Sequence, residues 1–138
     1  MANNVIKGMG FHHMALYASD FDKSLAFYQK LGMTVYTAWG EGDSRIALLD
    51  TGDGSMIELF AKPGLSAQAE GRWQHLALHV ENVEGALQTA LEAGAGLYRP
   101  VTVMDIDSHP RKITIQIAFV TGPDGEVVEF IKQLVKKL

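Results

Sequence analysis

The sequence contains one strand-like stretch twice, each time beginning at a histidine. The stretch that starts at His13 is followed by a helix-capping residue and later by Gly32, which suits the left-handed end of a helix. The stretch that starts at His75 is followed in the same way, and later by Gly94. The histidines and the glycines are each separated by 62 positions. A chain of this kind is expected to fold as two copies of one module.

The late parts of the two copies match at a larger spacing. Glu58 and Glu129 lie 71 positions apart, each in an apolar segment that follows a turn. The second copy therefore carries nine additional residues between Gly94 and Gln116. The polar loop 105–111 falls in this interval, and added loop length on a scaffold is commonly where function is added.

Alternation and helical periodicity predict the same element order, βαβββ, in each copy. The predicted fold class is α+β, in one domain spanning 1–138, with module 1 at about 11–61 and module 2 at about 75–133. Asp20 and Asn82 are the expected helix N-caps. Residues 1–10 are a predicted loose lead-in and 62–74 a linker. The predicted strands are 11–18, 33–39, 45–49, 55–61, 75–80, 97–103, 113–120 and 126–133. The predicted helices are 21–31, with Phe21, Leu25, Tyr28 and Leu31 buried, and the segment between Asn82 and Gly94, with Val83, Leu87, Ala90 and Leu91 buried.

Composition excludes several classes of function. The 138 residues include no cysteine, which removes disulfides, thiolate nucleophiles and thiolate metal ligands. A net charge of −4 argues against a nucleic-acid partner. No apolar run approaches the roughly 18 residues of a membrane span, and the first ten residues do not resemble a secretory signal. We expect a cytoplasmic protein with a small-molecule substrate, no nucleic acid and no membrane.

The two glutamates require partners. Glu58 and Glu129 each stand within a run of large apolar residues, where a buried carboxylate without a partner would cost several kcal/mol. His13 and His75, at equivalent strand starts, are the natural partners, with a cation between. Two imidazoles and two carboxylates suit Zn²⁺, Ni²⁺, Co²⁺, Fe²⁺ or Mn²⁺. Such a metal would act as a Lewis acid on a substrate oxygen, and a carboxylate able to leave it would move a proton.

A single strand histidine or a single glutamate is more often structural or solvated than a ligand. The repetition of both at the same module positions favours the metal interpretation here. The remaining histidines have weaker signals. His12 points opposite to His13, and His79 is expected to line a pocket wall. His109, in the insertion loop, is expected either to contact substrate or to be exposed.

The sequence resembles the vicinal oxygen chelate superfamily and, within it, glyoxalase I, over most of 11–133. The matching stretches are His13-x-Ala-Leu with Asp20, Ser24-Leu25-Ala26-Phe27-Tyr28 with Leu31-Gly32, Ile57-Glu58-Leu59, His75-Leu76-Ala77-Leu78, and Ala118-Phe119-Val120 with Pro123-Asp124-Gly125 and Glu129.

The resemblance implies paired βαβββ modules in a cupped eight-stranded mixed sheet around a divalent metal, Ni²⁺, Zn²⁺, Co²⁺ or Mn²⁺. It places the ligands at His13, Glu58, His75 and Glu129. It implies isomerisation of a 2-oxoaldehyde–thiol hemithioacetal to a 2-hydroxyacyl thioester, as in methylglyoxal detoxification. Glu129 would be the base that moves the substrate proton, and Glu58 the second catalytic carboxylate.

Other activities of the superfamily remain alternatives. Ring-cleaving dioxygenases use two His and one Glu, and methylmalonyl-CoA epimerases usually have Gln where Glu58 stands. Metal-free binding or resistance proteins lack the ligand set. The cations that grip glutathione in glyoxalase I do not align cleanly. The available ones are Arg45, Lys62, Arg72, Arg99, Arg111 and Lys112.

The short connection between the modules bears on assembly. Only 17 positions separate Glu58 from His75, so the linker is expected to hold the modules apart. We therefore expect a homodimer in which His13 and Glu58 come from one chain and His75 and Glu129 from the other. A site within one chain is the alternative.

Overall fold

The computed structural model describes residues 1–30, 32–65, 73–121 and 127–134. The chain divides into two compact units. We call them the N-terminal unit, His13–Gln74 with Asp107–Lys112, and the C-terminal unit, Met1–His12 with His75–Ile106 and Ile113–Leu138. Each unit contains the core of one predicted module.

The element order of the chain is βαβββ twice, with one short 3₁₀ turn, Gly42–Ser44, in the first copy. The predicted α+β class with two such modules is confirmed. The first copy consists of β1 Gly10–Ala18, α1 Phe21–Lys30, β2 Thr34–Trp39, β3 Ile46–Asp50 and β4 Met56–Ala61. The second consists of β5 Trp73–His79, α2 Val83–Glu92, β6 Gly96–Ile106, β7 Ile113–Thr121 and β8 Val127–Leu134.

In the N-terminal unit the strand order is β2-β3-β4-β1, with β1 and β4 parallel and the other neighbours antiparallel. The parallel pair is possible because α1 supplies part of the crossover between them. The Asp20 carboxylate caps α1 by accepting the Lys23 N–H at 3.1 Å, as predicted. One sheet face packs against α1 and forms this unit's core. Its buried members are Phe21, Ala47, Leu49 and Leu59, with Leu25 and Tyr28 packed against them.

In the C-terminal unit the order is β5-β8-β7-β6, with β5 and β8 parallel and the rest antiparallel. Asn82 caps α2 by accepting the Gly85 N–H at 2.9 Å, as predicted. The α2 side of the sheet forms the core. Its buried members are Val80, Val83, Ala86, Ala118, Val120 and Phe130. Of the buried stripe expected for α2, Val83 is buried and Leu87 and Ala90 pack against the core, while Ala86 is an additional buried residue and Leu91 is only partly buried.

Several predicted boundaries need correction. The lead-in 1–10 is not loose throughout, because Ile6 and Met9 pack against the C-terminal core and β1 already begins at Gly10. Strand β5 begins at Trp73 instead of 75. Leu31 and residues 66–72, 122–126 and 135–138 lie outside the described residues. Gly32 and Gly94 have φ of 97° and 102°, so both helix-ending glycines are confirmed. Across the described ranges, neither helix is long and apolar enough to cross a membrane.

The nine additional residues of the second copy lie in two longer strands and not in a longer loop. β6 has 11 residues against 6 in β2, and β7 has 9 against 5 in β3. These differences account for all nine. The predicted strand 97–103 therefore extends to Ile106, and the predicted loop 105–111 contracts to 107–112. The insertion is a long β6–β7 hairpin whose tip, Asp107–Lys112, belongs to the N-terminal unit.

The turn before β4 is held by short-range hydrogen bonds to two aspartates. Asp50 Oδ1 accepts the N–H groups of Gly52 and Gly54 at 2.7 and 3.2 Å. The Ser55 hydroxyl and N–H, and then the Thr51 hydroxyl, donate to Asp53 and lower its pKa to about 2. This turn sets the register in which β4 presents Glu58.

Candidate metal centre

In the N-terminal unit, His13 and Glu58 form a buried pair. His13 Nε2 lies 3.1 Å from Glu58 Oε1, and the residues are 2% and 7% exposed. Strand pairing sets this contact, because Ala15 of β1 stands opposite Glu58 of β4 in a parallel register. His13 precedes Ala15 by two residues and so shares its face.

In the C-terminal unit, His75 and Glu129 form the matching pair. His75 Nε2 lies 3.1 Å from Glu129 Oε1, and the residues are 7% and 4% exposed. Ala77 of β5 stands opposite Glu129 of β8, again in a parallel register. The two units therefore repeat the burial, the stagger and the distance of the pair, as well as its residue types.

Both pairs lie on the sheet face that does not carry the helix. Residues directly opposed in neighbouring strands share a face, so Glu58 lies in a row with Thr37, Leu48 and Ala15. The neighbouring rows, which contain Leu49 or Leu59, belong to the α1 core. Glu58 therefore faces away from the α1 core and is available for chemistry.

Each pair supplies one imidazole and one carboxylate, which are two of the four ligands in the predicted metal site. An imidazole nitrogen and a carboxylate oxygen are ligands that divalent first-row metals accept. A buried carboxylate needs a positive or hydrogen-bonding neighbour, which its histidine supplies within the unit. The four side chains therefore fit a divalent cation by type and burial. Their assignment as ligands of one ion stays a prediction.

The other histidines have different surroundings. His79 is exposed, with its ring against the backbone of Gly10, where an added Cβ would lie 2.5 Å from Nε2. His79 is therefore better described as a surface residue than as part of a pocket wall. His109 is also exposed, and its backbone pairs with Ala38 in both directions, at 2.7 and 2.8 Å. His12 is partly buried.

A separate cavity of about 340 Å³ opens at the end of β2 in the N-terminal unit. Much of its wall, including Phe21, Leu25 and Ala47, belongs to the α1 side of the sheet, opposite to Glu58. The hairpin tip supplies Asp107 and His109 to its rim. The loop histidine thus lies beside this cavity.

Several candidate cations have acidic or aromatic partners, and Arg45, which lies 4.3 Å from the Phe21 ring centroid, has both. Arg45 is bound to Asp22 at 2.7 Å, and Lys112 lies 3.5 Å from Asp107. Lys62 and Arg111 instead lie over tyrosine rings, those of Tyr17 and Tyr36, at 4.4 and 4.8 Å. Arg99 stands opposite Phe119 in the β6–β7 pair. Arg72 lies outside the described residues.

Three residues outside the predicted ligand set have buried or aromatic contacts that the sequence analysis did not predict. Thr37 and Ser108 are fully buried, and both hydroxyls donate to the Arg111 carbonyl, Thr37 at 2.8 Å. Phe119 packs against the His75 ring. Short polar residues are usually exposed, so burial of the first two depends on long-range contacts that periodicity does not encode.

The chain matches the Glyoxalase/Bleomycin resistance protein/Dioxygenase superfamily over residues 10–130. The chain belongs to this superfamily. It is 31% identical over 128 residues to a protein of Vibrio cholerae serotype O1 named "Probable lactoylglutathione lyase". That alignment covers 87% of this chain and 88% of the relative. The resemblance recognised in the sequence is confirmed at the level of the superfamily.

Solved structures of the superfamily fold agree with this assignment. A hypothetical protein from Bacillus halodurans C-125 matches with a TM-score of 0.71 at 19% identity, covering 96% of this chain and 99% of the other. A methylmalonyl-CoA epimerase from Mycobacterium tuberculosis matches at 0.68 and 21%, covering 95% and 91%. At these identities the similarity establishes the fold shared by superfamily members.

Proposed function

We propose that this superfamily member is a metal-dependent glyoxalase I-like lyase. Its reaction would isomerise a 2-oxoaldehyde–thiol hemithioacetal to a 2-hydroxyacyl thioester. The observation that carries the proposal is the second carboxylate. Glu58 is buried and lies 3.1 Å from His13, in the geometry that Glu129 adopts with His75. A site with two such pairs offers four protein ligands, and the name of the Vibrio cholerae relative agrees with this activity.

In this proposal His13, Glu58, His75 and Glu129 hold one divalent cation. When bound, the cation supplies Lewis-acid polarisation of the two neighbouring substrate oxygens. The four side chains also orient the substrate by fixing where those oxygens lie. Their burial excludes bulk water, which would otherwise compete with the substrate for protons.

The proton transfer is assigned to Glu129. Its carboxylate takes the proton from the carbon that bears sulfur and hydroxyl, and returns it to the adjacent carbonyl carbon. The hydroxyl proton moves to the neighbouring oxygen, so substrate and product are isomers and no oxidant is consumed. Glu58 keeps the first half of the site charged while Glu129 carries the proton.

The assay measures S-lactoylglutathione formation from methylglyoxal and glutathione, with Ni²⁺, Zn²⁺, Co²⁺ or Mn²⁺ added to metal-free protein. We expect activity with at least one metal. We expect Glu129→Gln to lower kcat by about 10²–10⁴-fold, the usual contribution of a general base. Glu92→Gln, on the exposed end of α2, is the matched control and should retain full activity. Background rates with every metal would refute the proposal.

The same preparation distinguishes the alternatives. A substrate panel with Co²⁺, Mn²⁺ and Fe²⁺ identifies an epimerase or a ring-cleaving dioxygenase, a class in which two His and one Glu suffice. Elemental analysis of purified protein identifies a metal-free binding protein. In that case metal content is nil, and Glu129→Gln does not change it.

A further inference from the structure

An aromatic side chain contacts one of the two histidines. The rings of His75 and Phe119 lie with centroids 5.4 Å apart and planes at 89°, an edge-to-face arrangement. Phe119 also stands directly opposite Glu129 in the β7–β8 pair, so it shares the face of this pair. One side chain of β7 thus adjoins both members of the C-terminal pair.

The repeat places a different type of residue at the position of Phe119. At the spacing of 71 that relates Glu129 to Glu58, Phe119 corresponds to Leu48. Leu48 stands opposite Glu58 in the β3–β4 pair, so the equivalence holds in the structure as well. The two copies share their histidine and glutamate but differ in the residue beside them.

Phe119 is itself held in place from the next strand. Tyr98 of β6 meets it edge-to-face, with centroids 6.2 Å apart and planes at 83°. Tyr98 is 62% exposed, and its ring nevertheless packs against that of Phe119. The result is a column of three rings, Tyr98, Phe119 and His75, running across the C-terminal unit.

We propose that Phe119 is a positioning residue that fixes the ring orientation of His75. The second side-chain torsion of histidine is broad, so a ring without lateral contacts samples a wide range of angles. Edge-to-face packing narrows that range. His75 is thereby oriented before any ligand arrives, whereas the first copy has Leu48 at the equivalent position. The consequence for metal affinity rests on the proposed function, while the orientation of His75 does not.

The test replaces Phe119 with the residue of the first copy, Phe119→Leu. In metal-free protein, NMR of the histidine ring protons, assigned with His75→Gln, should show two changes at His75. The ring-current shift of Phe119 is lost with the ring itself, and the relaxation of the signals should show a wider range of ring angles, which is the change that tests positioning. Affinity for Co²⁺ or Zn²⁺ should fall about three- to tenfold, the equivalent of one aromatic pair. Phe119→Tyr keeps the ring and should restore both values.

Phe21→Leu is the matched control, since it makes the same change in the α1 core of the other unit. It should lower thermal stability without moving the His75 signals or the metal affinity of folded protein. Tyr98→Leu removes the outer ring and should shift the His75 signals in the same direction, by less. This variant also tests the proposal if Phe119→Leu does not fold.

The possible failures are distinct. Unchanged His75 signals in folded Phe119→Leu or Tyr98→Leu would overturn the positioning role. A metal affinity equal to that of the wild type in Phe119→Leu would overturn the proposed contribution of this orientation to metal binding. If the wild type binds no divalent metal, the proposed function fails, and the NMR signals of metal-free protein still decide whether Phe119 orients His75.

Discussion

At the scale of single residues, Glu58 is the side chain that separates the candidate activities. Its carboxylate is 7% exposed and lies beside His13 in a row of otherwise uncharged residues. Burying a carboxylate is costly even when it is paired, so a charged residue at this position suggests a role that a neutral residue could not fill. In the proposed function that role is to be a fourth protein ligand, which would distinguish this site from one built on two His and one Glu.

We predict that Glu58→Gln weakens divalent metal binding by about 10–100-fold or more, because an amide oxygen is a much poorer ligand than a carboxylate. Competition with a chromophoric chelator measures the affinity. Glu84→Gln, exposed in the first turn of α2, should bind as the wild type does. Unaltered affinity in Glu58→Gln would remove this residue from the ligand set and favour a three-ligand site.

At the scale of elements, the β6–β7 hairpin is where the two copies differ most. Its tip leaves the C-terminal unit and pairs with β2 through Ala38 and His109. Thr37 completes the attachment by donating its hydroxyl to the Arg111 carbonyl. Because Thr37 lies in the same cross-strand row as Glu58, the tip is anchored on the face that carries the candidate ligands.

We predict that Thr37→Val, which keeps the side-chain shape and removes the hydroxyl, destabilises the fold by about 1 kcal/mol. Amide exchange at Ala38 and His109 should accelerate, since the tip is then held by fewer bonds. Hydrogen exchange followed by NMR and denaturant unfolding measure both effects. Thr102→Val is the control, because that hydroxyl bonds only to Pro100, two residues away. Equal exchange rates in Thr37→Val and the wild type would contradict the anchoring role.

At the scale of the whole molecule, the internal repeat made much of the fold predictable from the sequence. The repeated caps, Asp20 and Asn82, and the repeated glycines located both helices, and the repeated His and Glu positions predicted the two buried pairs. The repeat could not show where the nine additional residues lie, because both a loop and a longer hairpin satisfy the same spacing. The pairing of Ala38 with His109 was equally unreadable, because contacts between distant segments leave no local periodicity.

The assembly of the site is a second question at this scale. If His13 and Glu58 of one chain join His75 and Glu129 of another, inactive His13→Ala and Glu129→Gln proteins should complement each other. Half of a randomly mixed population is hybrid, and each hybrid dimer has one intact site, so about a quarter of wild-type activity should return. Enzyme assays after subunit exchange, with native mass spectrometry to confirm hybrids, make the measurement. Hybrids without activity would place the site within one chain.

The crossing of the hairpin tip into the other unit has an evolutionary consequence. A single ancestral copy without Asp107–Lys112 would have needed other hydrogen-bond partners for the backbone groups at the outer edge of its second strand. Because the lengthened hairpin supplies hydrogen bonds to Ala38, the first half depends on residues encoded within the second. If a gene were cut between the halves today, the amide and carbonyl of Ala38 would lose these partners, and an open strand edge invites aggregation. Splitting the gene between the two halves would therefore not return two copies that fold independently.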